Sequence, residues 1–295
     1  MLPNFICIGA QKSGTTTLFD LLKLHPDIYL PSCKETHFFD KNDRYLRGFQ
    51  WYESEFFSEV RGERAIGEIT PIYMYLDYVP KRICNSLGVE IKLIFILRNP
   101  IDRAYSHYWM NYKKGYEKEC FDSAINLEKE RIQNGEFEKD KFSYIDRGFY
   151  SDQIKRYLRY FPKENMCFVI FEKFVKDIKE TMKRIFTFLE VEPHSEIKYN
   201  VKSNPASASR FSFLRNVVYG YSGFKKIMRL LVPSKKIRRS IVKIIGNINI
   251  KSLEKPEIRK DTSTRLIEIY KREVKELENL IGEDLSLWFN NASQD

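Results

Sequence analysis

The stretch Phe5-Ile6-Cys7-Ile8-Gly9-Ala10-Gln11-Lys12-Ser13-Gly14-Thr15-Thr16-Thr17 decides the fold. An apolar run ends at Gly9, a polar turn bounded by glycines follows, and Thr15 to Leu24 reads as a helix with Leu18, Leu21 and Leu22 on one side. Strand, glycine-containing turn and helix in that order make an anion cradle. Backbone N–H groups of the turn and the helix N-terminus point at one place, and the helix dipole adds partial positive charge there. Lys12 lies inside the turn, and Thr15 and Thr16 bring hydroxyls to the first helical positions.

The turn departs from the usual nucleoside triphosphate loop, G-x-x-x-x-G-K-[ST]. Gly9 and Gly14 keep the glycine spacing, but Thr15 stands where the lysine belongs and the lysine has moved back to position 12. ATP enzymes also need a carboxylate for Mg²⁺. The second strong apolar run, Ile91 to Leu97, ends in Arg98 instead. A cation at that strand tip suits direct neutralisation of a phosphate without a metal. A bare strand-to-helix turn would explain the two glycines alone, and an ATP-dependent kinase is the competing catalytic reading.

Working outward, strand, crossover helix and strand recur. Val79 to Leu87 reads as the helix that leads into the Arg98 strand, and Met166 to Phe171 as a further buried strand. This pattern implies a parallel sheet with right-handed connections, whose ligands lie beyond the carboxyl ends of the strands. Arg98-Asn99-Pro100 through Ser106 then forms a second anion motif. Asn99 caps, Pro100 takes the first helical position, and Arg98 and Ser106 are placed to clamp one phosphate. Between the two motifs lies Lys34-Glu35-Thr36-His37-Phe38-Phe39-Asp40. If it is extended, Glu35 and His37 share a side, which offers a carboxylate and an imidazole for general-base work. As a solvated Lys34–Glu35 pair with a loop histidine, the same residues would carry no chemistry.

Chain-wide numbers bound the rest. The 295 residues are 43% hydrophobic, with 22 Phe and 18 Tyr, which suits one α/β domain over 1–295. Five scattered cysteines include no C-x-x-C pair, so neither a metal site nor a disulfide framework is indicated, and Cys7 and Cys167 belong in apolar strands. The formal net charge of +10 favours anionic partners. From Lys202 to Leu253 there are twelve Lys and Arg and no Asp or Glu. The interleaved part, 225–243, is the basic amphipathic pattern that lies on an anionic membrane face or receives an anionic polymer. A basic membrane-surface binding protein is therefore a non-catalytic alternative; motifs for nucleic acid are absent. Without a leader or a membrane-length apolar run, the expected location is cytoplasmic, peripheral to the membrane's inner face at most. Asp177 to Glu190 and Asp261 to Ile281 read as amphipathic helices, and Asp284 to Phe289 as a docking turn.

Taken together, these motifs resemble the sulfotransferases that use 3′-phosphoadenosine 5′-phosphosulfate, above all the bacterial and heparan sulfate types. The resemblance is carried by Gly9 to Thr16, by Leu97 to Ser106 and by Lys34 to Asp40. Gly67-Glu68-x-Thr70-Pro71-x-Tyr73 and Leu277-Glu278-x-Leu280-x-Gly282-x-Asp284-Leu285-x-x-Trp288 add to it. It implies a P-loop-like, three-layer fold with a central, mainly parallel sheet flanked by helices. It also implies sulfuryl transfer by in-line displacement to a hydroxyl of a carbohydrate or glycolipid, with 3′-phosphoadenosine 5′-phosphate as product and no metal. Lys12 would then balance charge on the leaving phosphate. Gln11 and Ser13 to Thr16 (Ser13, Gly14, Thr15, Thr16) would hold the 5′-phosphate, and Arg98 and Ser106 the 3′-phosphate. Glu35 would take the acceptor proton, with His37 as the second choice. Two departures stand out. The heparan sulfate type has a lysine where this chain has Ile69, and the late Lys-Gly-Arg loop has only a loose counterpart between Lys202 and Arg210.

Overall fold

The computed structural model describes residues 1–194, 197, 199, 207–209, 250–252 and 256–289. Lys202, Arg210 and the basic stretch 225–243 lie outside the described residues. The chain divides into two compact units: 1–103, 147–201 and 264–295 form the first, 104–146 and 202–263 the second.

A five-stranded sheet organises the first unit. Its strands are β1 (Phe5–Gly9), β2 (Ile28–Tyr29), β3 (Ala65–Ile69), β4 (Lys92–Leu97) and β5 (Met166–Ile170), in the order β2-β3-β1-β4-β5. Every pairing is parallel, and the register sets Phe5 against Gly67 on one side and Lys92 on the other. Parallel strands covered on both faces read as unbroken apolar runs rather than alternating ones. That is why Phe5-Ile6-Cys7-Ile8, Leu93 to Leu97 and Met166 to Ile170 are buried throughout. Cys7 and Cys167 are core residues as expected, and burial pushes the Cys7 thiol up to about 12 and the Cys167 thiol up to about 11.

Period two then separates the layers. Phe5, Cys7, Ile94, Ile96, Cys167 and Val169 join one core cluster with Leu18, Leu21 and Leu22 of α1 (Thr15–Leu22). Met182, Ile185 and Phe186, in a helix that spans Ile178–Phe188, complete that cluster. On the opposite face Phe95 meets Tyr157 edge-on at 5.6 Å, within the helix Tyr150–Leu158. The result is the three-layer α/β arrangement implied by the motifs. The long helix Lys260–Ile281 buries Leu266, Tyr270, Val274, Leu277 and Ile281. Its Glu273 carboxylate accepts from the Ser151 backbone N–H at 2.7 Å and from the Ser151 hydroxyl at 2.6 Å, and so caps the helix that carries Tyr157.

The second unit contains Phe121–Arg131 and Glu136–Phe142 as helices, and a short antiparallel pair, Ser207–Ser209 with Ile250–Ser252. Inside it the buried Glu117 carboxylate takes Arg131 Nη1 at 2.7 Å and the Tyr144 hydroxyl at 2.9 Å. The helix Pro100–Lys114 begins in the first unit and continues into the second. Among the described residues no helix is long and apolar enough to cross a membrane.

Phe95, fully buried at the sheet centre between Tyr157 and Phe168, sets the stability test for this packing. Phe95→Ala removes a large ring from a close-packed site and is expected to cost about 3–5 kcal/mol. Urea unfolding should show it as a lowered midpoint with an unchanged slope.

Candidate active site

The predicted residues among those described lie beyond β1 and β4, in a group held by the end of β3, and, for Ser106, further along the helix after β4. Beyond β1 the chain makes its glycine-bounded turn. Gly14 has φ +89, a left-handed conformation that glycine adopts at little cost, and it starts α1. A Cβ there would also lie 2.8 Å from the Phe171 ring. Lys12, half-buried in the turn, is itself left-handed at φ 75. Ser13 is fully buried, and its Oγ has no hydrogen-bond partner among the described residues. Thr15 is buried at the helix start and Thr16 is exposed.

Beyond β4, Arg98 turns its guanidinium back toward this loop. Its Nη1 donates to the Lys12 carbonyl at 3.2 Å, so the two cationic motifs meet. The guanidinium carbon stands 4.7 Å from the centre of the Phe171 ring, a cation–π contact. Arg98 Nε is buried and, among the described residues, lacks a partner. Asn99 caps as predicted: its Oδ1 accepts from Ile101 N at 2.9 Å. Ser106 stands further along the same helix, in the second unit, partly exposed. Gln11 Oε1 accepts from Arg147 Nη1 at 2.9 Å, and that guanidinium lies 4.5 Å from the Tyr75 ring.

Beyond β3 stands the third group. The segment 34–40 is not extended: Glu35 and His37 are left-handed, at φ 68 and 52. The alternation argument for bringing them together therefore fails, yet they do meet. His37 Nε2 lies 3.6 Å from Glu35 Oε2, and Lys34 Nζ lies 2.6 Å from Glu35 Oε1. On its other side His37 Nδ1 contacts Asp40 Oδ2 at 3.0 Å. The backbone N–H of Glu35 is held by the Ile69 carbonyl at 3.1 Å. Ile69 itself points into the core, so the cation beside Glu35 is Lys34.

This row of alternating charge shifts both titrations. Burial pushes the Glu35 carboxyl up, but His37 and Lys34 outweigh it and hold it at about 2. Burial pushes the His37 imidazole down, but Asp40 and Glu35 outweigh it and hold it at about 9. At neutral pH the pair is therefore Glu35 carboxylate and His37 imidazolium. An imidazolium cannot accept a proton, which ranks Glu35 above His37 as a base.

Left-handed non-glycine residues cost roughly 1–3 kcal/mol each and persist where their surroundings over-determine them, often at functional sites. Among the described residues there are four: Lys12, Glu35, His37 and Glu190. Three of the four are residues that the motifs single out.

Other contributors escaped the sequence reading. Phe171, the first residue after β5, packs on both Gly14 and Arg98. Glu172 accepts from Asn99 N at 3.0 Å and from Trp288 Nε1 at 2.9 Å, while Asn99 Nδ2 donates to the Trp288 carbonyl at 2.5 Å. Their position at a strand's carboxyl end was the available signal.

With this geometry in place, comparison with known proteins gives the class. Residues 2–223 match the sulfotransferase domain, and the chain belongs to that family. Heparan sulfate glucosamine 3-O-sulfotransferase 3B1 of Mus musculus is 32% identical over 188 residues, 64% of this chain and 46% of that protein. Heparan sulfate glucosamine 3-O-sulfotransferase 5 of Homo sapiens is 29% identical over 219 residues, 74% of this chain and 61% of that protein. The chain thus spans about half the length of the curated relatives it matches. Among solved structures, a sulfotransferase from Alicyclobacillus acidocaldarius superimposes with a TM-score of 0.69 at 27% identity, covering 98% of this chain and 99% of that one.

The linked titrations set a pH test. The raised His37 pKa stabilises the fold fully below the imidazole's ordinary 6.5 and loses that contribution as pH rises through about 9. Wild type and His37→Gln should therefore differ most in melting temperature between about pH 5 and 6.5, where the acidic partners remain ionised. The gap should close above about 9.

Proposed function

We propose that this enzyme transfers the sulfuryl group of 3′-phosphoadenosine 5′-phosphosulfate to a hydroxyl of a saccharide or glycolipid. The observation that carries the reading is the meeting of Lys12 and Arg98 at the carboxyl end of the sheet, with Ser13 Oγ and Arg98 Nε both buried without a partner among the described residues. Buried donors in native proteins are normally satisfied. An orphan in the turn after β1 and another at the tip of β4 fit the oxygens of a doubly phosphorylated nucleotide. Gln11, Ser13, Gly14, Thr15 and Thr16 would face its 5′ end, and Arg98 its 3′-phosphate. The 3-O-sulfotransferase relatives, named for heparan sulfate glucosamine, support a saccharide acceptor.

In the reaction the acceptor oxygen attacks sulfur in line with the bond to the departing phosphate. Glu35 takes the hydroxyl proton as the new S–O bond forms and the old one breaks. Lys12 neutralises the charge that grows on the leaving phosphate, an electrostatic contribution that needs no rearrangement at the moment of transfer. His37, held by Asp40, remains protonated and orients Glu35. Lys34, on a flexible stem, exchanges its Glu35 contact for the anionic sulfuryl oxygens, which makes the carboxylate a stronger base when donor is present. The basic stretch 225–243 supplies peripheral contact with an anionic membrane face, and the enzyme works in the cytoplasm.

With labelled donor and a panel of saccharides that includes heparan sulfate, Glu35→Gln should lower kcat by roughly 10²–10⁴-fold, the usual weight of a general base. Lys12→Ala should lower it by about 10²–10³-fold, as loss of one oxyanion-type contact does. Full activity in both variants rejects the assignment. In thermal melts, 3′-phosphoadenosine 5′-phosphate should stabilise the wild type by about 2.7 kcal/mol at 100 times its Kd, where ATP with Mg²⁺ does far less.

A further inference from the structure

We infer that Glu68 is a positioning residue, a buried carboxylate that fixes the pose of the Glu35–His37 pair through the hydroxyl of Thr36. The inference rests on the reading of Glu35 as base, and it concerns how that base is held.

Glu68 is 1% exposed near the end of β3. Its carboxylate accepts from four hydroxyls. Tyr52 donates to Oε1 at 2.5 Å, Thr70 donates to Oε2 at 2.8 Å, Thr36 donates to Oε2, and Tyr73 lies 3.3 Å from Oε1. An ionised carboxylate is acceptor-only with about four lone-pair sites, so four hydroxyls saturate it. A glutamine would turn half of that capacity into donors. Burial raises the Glu68 pKa, and the four donors work against it.

The network continues into the catalytic loop. Thr36 is fully buried and separates Glu35 from His37. The Tyr73 hydroxyl, 3.2 Å from Thr36 Oγ1, accepts from the backbone N–H of Phe38 at 2.9 Å and of Phe39 at 3.2 Å. With the Ile69 carbonyl on Glu35 N, residues 35 and 36 are tied to the end of β3, and residues 38 and 39 to Tyr73 in the turn that follows it. Thr36 therefore points inward while its two neighbours stay with Lys34 and Asp40. The left-handed backbone at Glu35 and His37 is a conformation that such side chains seldom hold unaided. The anchor at Thr36, between them, is what over-determines it.

The test compares Thr36→Val, which keeps the shape and removes the hydroxyl, with Thr36→Ser, which keeps the hydroxyl; Glu68→Gln is the second route to the same link. The chain has four histidines, so the His37 ring signal can be followed through a pH titration by NMR. In Thr36→Val the His37 midpoint should fall from about 9 toward the ordinary 6.5, while Thr36→Ser keeps it. On any saccharide that the wild type sulfates, Thr36→Val should lose tenfold or more in kcat. Its KM for the donor and its affinity for 3′-phosphoadenosine 5′-phosphate should stay within twofold. The inference is overturned if the His37 midpoint does not move in Thr36→Val and Glu68→Gln, or if kcat and donor affinity fall together as general destabilisation would require. A moved midpoint with unchanged turnover, alongside a fully active Glu35→Gln, keeps the anchor and removes Glu35 as the base.

Discussion

Parallel pairing of β1 with β4 is the constraint on which the site depends. It puts the carboxyl ends of both strands on one edge, so the residues that follow them, Gly9 to Thr16 and Arg98, must share that edge. The hydrogen bond from Arg98 to the Lys12 carbonyl is the direct result. An antiparallel arrangement of the same two strands would separate the cations by the length of a strand, about 17–20 Å. Phe171 follows the third neighbour, β5, and closes the same edge from the other side with its ring against Gly14 and Arg98. The sheet thus acts by alignment, while the candidate site residues come from the loops it terminates.

Much of this was legible in the chain itself. Unbroken apolar runs such as Leu93 to Leu97 announce parallel strands buried on both faces, and the glycine pair around Lys12 announces a strand-to-helix turn. Asn99-Pro100 marks a helix start that the structure reproduces. What the sequence could not convey was backbone handedness. Nothing in Lys34 to Asp40 signals that Glu35 and His37 adopt positive φ, and the hydrogen bonds that hold this segment come from residues 68 to 73, far along the chain. The expected alternation reached the right pair by the wrong geometry. Phe171 and Glu172 carry the signal of a strand's carboxyl end and Trp288 that of a docking turn, but the contacts they make span long sequence separations that no local pattern encodes.

The electrostatic pattern around Glu35 follows from the same packing. Lys34, Glu35, His37 and Asp40 form a chain of alternating sign, each link between 2.6 and 3.6 Å. Such a row is self-compensating, because each charge faces one of opposite sign. Ile69, where a lysine stands in the heparan sulfate type, lies in the core, and Lys34 is the cation in contact with Glu35.

The ties among Asn99, Glu172 and Trp288 have a consequence for the order of events on the ribosome. Glu172 and Trp288 together fasten the turn just after Arg98, yet Trp288 leaves the exit tunnel nearly two hundred residues later. The sheet can assemble from the first 170 residues, but the arginine grip lacks its final brace until that tryptophan emerges. During synthesis this edge of the sheet is therefore built early and fastened last.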